Sequence, residues 1–169
     1  MKKIFILALF FAFTVQYSFS QFFVGGGFGV LGHISNTGGP AIVGSAEAGY
    51  RFPHRFFSVG MIVKYGIDSA QHNPIFNVGV FGEGILFTFG RRSSFVVGLS
   101  FAYTNSSEVR IFRNDHAAEI GLPLMWEVSL GEWGRTALFF RLEPMLVVGN
   151  HDINAGFNAT PIGLRVFFW

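Results

Sequence analysis

The chain has 169 residues, of which 50% are hydrophobic and only 13% charged, against about a quarter charged in ordinary soluble domains. Twelve Lys and Arg face ten Asp and Glu, and Lys2 and Lys3 account for the whole excess, so the rest of the chain is charge-balanced and lacks the basic surface that nucleic-acid binding requires. The absence of cysteine excludes a disulfide framework, thiolate metal centres and a lipid-anchored cysteine.

The first element, over residues 1–20, combines Lys2 and Lys3 with an apolar run from Ile4 to Val15 and small residues at Ser18 and Ser20. This is the pattern of a secretory signal peptide cleaved before Gln21. Its apolar run is well short of the ~20 residues a spanning helix needs. Residues 21–169 then form one domain, again without an apolar stretch long enough for a transmembrane helix. A hydrophobic chain with so few charges and no such helix has one other way to cross a membrane. It must close a β-barrel, so that every backbone group in lipid is paired internally.

Alternation along the chain predicts eight strands, at about 22–34, 41–52, 57–67, 75–89, 95–105, 117–130, 135–148 and 159–169. The sixth, AAEIGLPLMWEVSL, is the plainest. Ile120, Leu122, Leu124, Trp126, Val128 and Leu130 share one parity, while Glu119, Gly121, Pro123, Met125, Glu127 and Ser129 share the other. A period of two gives a strand two different faces, whereas a helix would scatter both sets around its circumference. Phe57, Val59, Met61, Val63, Tyr65 and Ile67 repeat the pattern in the third strand, and Ile162, Leu164, Val166 and Phe168 repeat it in the last.

Charge decides which face is which. Glu47, Arg51, Lys64, Glu83, Glu119, Glu127, Arg141, Glu143 and Arg165 all fall on the parity opposite to the apolar sets. A charge on the lipid face costs roughly 2–4 kcal/mol at the bilayer midplane, so the empty column is the lipid-facing one and the nine charges form a luminal polar network. A soluble barrel of the lipocalin kind would invert this arrangement, with a greasy cavity and a charged exterior. The expected fold is thus an all-β, eight-stranded antiparallel transmembrane up-and-down barrel. Gly121, on the luminal parity, is expected to accept serine, and Leu124, on the other, to reject arginine.

The connections alternate as well. PHR, GRRSS and GEWG are short, whereas SNTGGP, DSAQHNP, NSSEVRIFRNDH and GNHDINAGFN are longer and more polar. Short turns belong on the periplasmic side and long loops outside. Phe52, Phe57, Phe89, Phe95 and Trp133 near the short turns, with Tyr65, Phe76 and Tyr103 near the long loops, suit two interfacial girdles.

On these residues the chain resembles the small outer-membrane β-barrels of OmpX- and OmpA-like architecture, with EIGLPLMWE similar to an L-E-I-P-L-L element of an outer-membrane barrel domain family. Val166, Phe168 and Trp169 at the end of the chain resemble the terminal signal read by the barrel-assembly machinery, with Gly163, Val166 and Phe168 set one residue short of the usual spacing. The resemblance implies a bacterial outer-membrane location, with outer-membrane lipids and the assembly machinery as partners. Members of such families include structural anchors, surface-interaction proteins, narrow channels and lipid-modifying enzymes, so the fold leaves the role open.

Two further constellations carry chemistry. GHISNTGG resembles the His-x-Ser-Asn element of the outer-membrane lipid A 3-O-deacylases, which implies a hydrolase in which His33 activates Ser35 and Glu47 orients the imidazole. The same stretch is also ordinary turn chemistry. His33, His72, His116 and His151 fall one in each long connection, with Asp68, Asp115 and Asp152 nearby, a residue set able to hold zinc or copper, although no pair has metal-ligand spacing. For the luminal charges, a conducting path competes with a plug that satisfies itself, and an eight-stranded barrel is only wide enough for its own side chains. The resulting expectation is a surface-interaction or structural barrel with a filled lumen, no cofactor and no catalytic residue. The lipid A deacylase-like hydrolase and the narrow channel for small solutes are the alternatives.

Overall fold

A computed structural model describes residues 21–33, 40–52, 56–69, 74–105, 116–131, 135–149 and 153–168. The expected signal peptide over residues 1–20 lies outside them. Nine β-segments follow in chain order: β1 (Gln21–His33), β2 (Ala41–Arg51), β3 (Phe57–Asp68), β4 (Pro74–Phe89), β5 (Ser93–Asn105), β6 (His116–Gly121), β7 (Leu124–Leu130), β8 (Thr136–Val148) and β9 (Ile153–Phe168). β6 and β7 are two halves of one stave. β5 pairs β6 through Ser100–Asn105 and β7 through Ser93–Val97, and β8 pairs both halves in turn. Every pairing is antiparallel, and β1 pairs with both β2 and β9, so the eight staves close into a ring with no free edge.

The stave that breaks between β6 and β7 does so for a chemical reason. Pro123 and Pro144 have no N–H to give the ladder. Leu122 N donates to Pro144 O at 2.9 Å and Gly98 N to Pro123 O at 2.9 Å, but neither proline can return the bond. Two bulges adjust the ring elsewhere. β4 carries an extra residue between Ile85 and Phe87 opposite Val96 and Phe95. β9 carries one between Thr160 and Ile162, opposite β1 on one side and β8 on the other. The extra residue is Pro161, which sits where the ladder needs no donor.

The β9 bulge corrects the sequence reading. The last stave starts at Ile153 rather than near Ala159, so the last six residues of the expected loop GNHDINAGFN are strand. The bulge inverts the alternation, Phe157 facing out before it and Ile162 and Leu164 after it.

The outer wall is apolar from rim to rim. Phe28, Ile42, Met61, Tyr65, Val80, Leu99, Phe101, Leu146, Ile153 and Ile162 are all exposed. Aromatic rings gather at the short-turn rim, where Phe87 stacks on Phe95 (5.0 Å), Phe89 on Trp126 (5.0 Å), and Phe52 lies 5.8 Å from Phe57. Tyr65, Phe76 and Tyr103 are exposed on the outer wall towards the long connections. Trp133 lies outside the described residues. At the short-turn hairpins, Gly90 (φ 63°) and Gly131 (φ 75°) hold left-handed backbone that other residues adopt only with strain.

Candidate functional site

Because alternate residues of a closed sheet point inward, the column that carries charge in the sequence is forced into the lumen. All nine charged side chains are buried there, from Arg165 at 0% exposure to Glu47 and Arg51 at 5%. Burial of this kind is tolerable only when each ion finds partners.

Arg165 is the hub. Its Nε donates to Glu47, its Nη1 and Nη2 clamp both oxygens of Glu83 at 2.8 and 3.0 Å, and Nη1 lies 3.4 Å from Glu127 Oε2. Arg141 bridges the same two acids from β8, 2.9 Å from Glu47 and 2.8 Å from Glu83. Arg51 forms a second clamp, with both Nη atoms 2.8 Å from Glu127 and Nε 3.1 Å from Ser58 Oγ. Planar guanidinium groups suit such forked contacts, which an ammonium could not reproduce.

One glycine makes the hub possible. Gly25 sits directly between Glu47 on β2 and Arg165 on β9 in the register. A Cβ there would stand 2.9 Å from Arg165 Cγ and 3.0 Å from Glu47 Oε1.

Nearer the long connections, Lys64 Nζ lies 3.0 Å from Glu143 Oε2, which also accepts from Asn158 Nδ2 at 3.1 Å, while Ser100 donates to its other oxygen. Glu119 is served differently. Thr104 donates to one of its oxygens and Asn77 Nδ2 to the other at 2.7 Å, and no cation meets it among the described residues.

Two apolar clusters pack beside and among the members of this network. Leu31, Val43, Ile75, Ala117, Met145 and Val147 pack together towards the long connections. Phe23, Ile62, Phe81, Ala137 and Phe167 pack together on the other side. The inward aromatics are working members of the network. Arg165 lies over Phe23 (4.8 Å), Phe139 (5.2 Å) and Phe81 (5.7 Å), and Arg51 over Phe167 (4.5 Å). Sequence reasoning missed these four phenylalanines: Phe81, Phe139 and Phe167 share the parity of Glu83, Arg141 and Arg165 on their own staves, while the stave of Phe23 carries no Asp, Glu, Lys or Arg to mark its faces.

Of the catalytic candidates, only the side chain of Glu47 is described. His33 ends β1, and its side chain, like Ser35 and Asn36, lies outside what is described. Glu47 pairs with Gly25, eight residues before His33, or about 26 Å along the strand at 3.3 Å per residue. Its carboxylate is held by Arg165 and Arg141, so it does not orient His33.

Of the metal candidates, only the backbone positions of His33 and His116 are described. His33 closes β1 and His116 opens β6, on staves that do not pair, while His72 and His151 lie outside the described residues. Among the described residues no group of three or more His, Cys, Asp or Glu is placed to hold a metal. Of the terminal residues, Phe168 faces outward with its ring 6.3 Å from Phe22, Val166 is half-buried, and Trp169 is not described. Gly121 is a further correction: a Cβ there would meet the Ser100 hydroxyl and the Glu143 carboxylate, so serine is accommodated only if these hydrogen-bonded side chains shift.

A closed eight-stranded antiparallel barrel, apolar outside and ion-paired within, is the class of protein that fold and site define. The fold is shared with the crystal structure of Neisserial surface protein A, with a TM-score of 0.58 at 12% sequence identity over 88% of this chain and 97% of that one. No protein-family model matches the sequence, and no curated protein matches it.

Proposed function

We propose that the protein is a bacterial outer-membrane barrel with a structural or surface-interaction role. In this reading residues 1–20 direct export, the barrel-assembly machinery recognises the end bearing Val166, Phe168 and Trp169, and the long connections face the cell exterior. The observation that carries it is the inverted polarity of the wall, with nine charges buried inside and an apolar exterior that water would reject but hydrocarbon accepts. The fold shared with a protein named for the neisserial surface agrees with it.

The lumen favours this role over conduction. Ion pairs join β2, β4 and β7 to β8 and β9 across the lumen, and buried apolar side chains pack among them, which favours a side-chain-filled interior over an open pore. The test is membrane fractionation of the expressed protein together with single-channel recording in planar bilayers. Recovery in the outer membrane with no steps above the bare bilayer is expected. Recovery in soluble fractions would refute the location, and steady unitary currents would refute the filled lumen.

A further inference from the structure

Among the described residues the charges of the lumen do not cancel. Five glutamates face four cations, and the pairing shows which acid is left over. Glu47 and Glu83 share Arg141 and Arg165, Glu127 is clamped by Arg51, and Glu143 holds Lys64. Glu119 is 3% exposed and meets only the neutral donors Asn77 and Thr104. Lys64 stands directly opposite Asn77 in the register but is turned to Glu143, 3.0 Å away.

A second observation falls on the same three side chains. Asn77 is 2% exposed, its Nδ2 serves both Thr104 (2.8 Å) and Glu119 (2.7 Å), and its Oδ1 has no hydrogen-bond partner. The cluster thus offers a carboxyl group, a hydroxyl and an amide oxygen with unused acceptor capacity, and no cationic side chain meets it among the described residues. It lies beside the first apolar cluster, two residues along from Ile75 and Ala117.

The geometry points to a binding site for one small monovalent metal cation, of the sodium class, held by Glu119 and Asn77 with Thr104 as their scaffold. Hard cations take oxygen ligands, and a single positive charge would match the one glutamate that has no cationic partner among the described residues. A divalent ion would leave the site positive with only one carboxylate to hold it, and Lys64 on the neighbouring strand opposes the extra charge.

The experiment compares thermal unfolding of the full chain, purified in a non-ionic detergent, in NaCl and in choline chloride at matched ionic strength. A ligand that binds only the folded state raises its stability, so at about ten times the dissociation constant the midpoint should rise by about 3–6 °C in sodium. Sodium-23 line broadening by the folded protein is the direct readout. Glu119→Gln should abolish both. Should that variant fail to insert, Asn77→Asp carries the test, since a second negative charge must enlarge the sodium shift. Equal midpoints for the wild type in the two salts would overturn the proposal. So would an undiminished shift in Glu119→Gln, or no enlargement in Asn77→Asp. A sodium response appearing only when Arg110 and Arg113 are replaced by Ala would identify a loop arginine as the counter-charge and overturn it equally.

Discussion

Replacing Arg165 by Met keeps most of the side-chain volume in the lumen but removes its positive charge. Glu83 then loses a two-pronged clamp at 2.8 and 3.0 Å, and Glu47 loses its Nε donor, leaving Arg141 to serve both acids. Glu127 keeps its clamp from Arg51. Because Arg165 and Glu83 are at most 1% exposed, solvent cannot take over the lost contacts, and breaking a buried pair of this kind costs about 3–5 kcal/mol. Loss of the guanidinium from the faces of Phe23, Phe81 and Phe139 adds roughly 0.5–1 kcal/mol for each ring. Adding Glu83→Gln restores the original net charge, so the double variant should be less destabilised than the sum of the singles by about 2 kcal/mol. Urea unfolding in phospholipid vesicles, followed by tryptophan fluorescence, measures all four corners of the cycle. A loss below about 1 kcal/mol for Arg165→Met, or strict additivity, would refute the claim that the lumen is held by mutual neutralisation.

Other expectations follow from wall, tail and loop. Leu124→Arg places a charge on the outer wall and should cost about 2–4 kcal/mol in bilayers, with Leu124→Phe as the tolerated control; equal insertion yields for the two would reverse the assignment of faces. Gly121→Ser should lower folding yield despite its luminal position, because the added atoms meet Ser100 and Glu143; a wild-type yield would show that these side chains move aside. Removing Phe168 and Trp169 should leave export intact and reduce insertion, as read by fractionation and protease protection. On the turn reading of SNTGGP, Ser35→Ala should change stability by only a few tenths of a kcal/mol, and neither it nor the wild type should release acyl chains from lipid A. Serine-dependent release would restore the hydrolase.

The staves were legible because hydrophobic alternation and charge exclusion are local. Lys64, flanked by Val63 and Tyr65, declares both faces of β3 without any knowledge of its neighbours. The first part of β9, from Ile153 to Thr160, was not legible, because Pro161 inserts a residue that only the pairing partners Phe28 and Phe139 reveal. The luminal phenylalanines stayed hidden for a related reason. Phe23 lies between Phe22 and Val24, and an apolar residue on a polar face breaks no rule by which alternation is read. The ionic partners were out of reach altogether: Arg165 meets Glu47 across 118 residues, a pairing set by stave order and shear rather than by any local signal.

The joining of β1 to β9 has a kinetic side. Phe22 meets Phe168 and Gly25 meets Arg165, so the ring cannot shut until almost the whole stretch from 21 to 168 is present. Such distant partners carry a large loop-closure cost before any contact rewards it. Until that moment every intermediate carries two bare strand edges and a greasy outer wall, both of which invite association with other chains. Slow, all-at-once closure at low chain concentration is therefore the regime in which this protein should fold cleanly. Refolding yield should fall as chain concentration rises, and a keeper that shields the open edges should recover it.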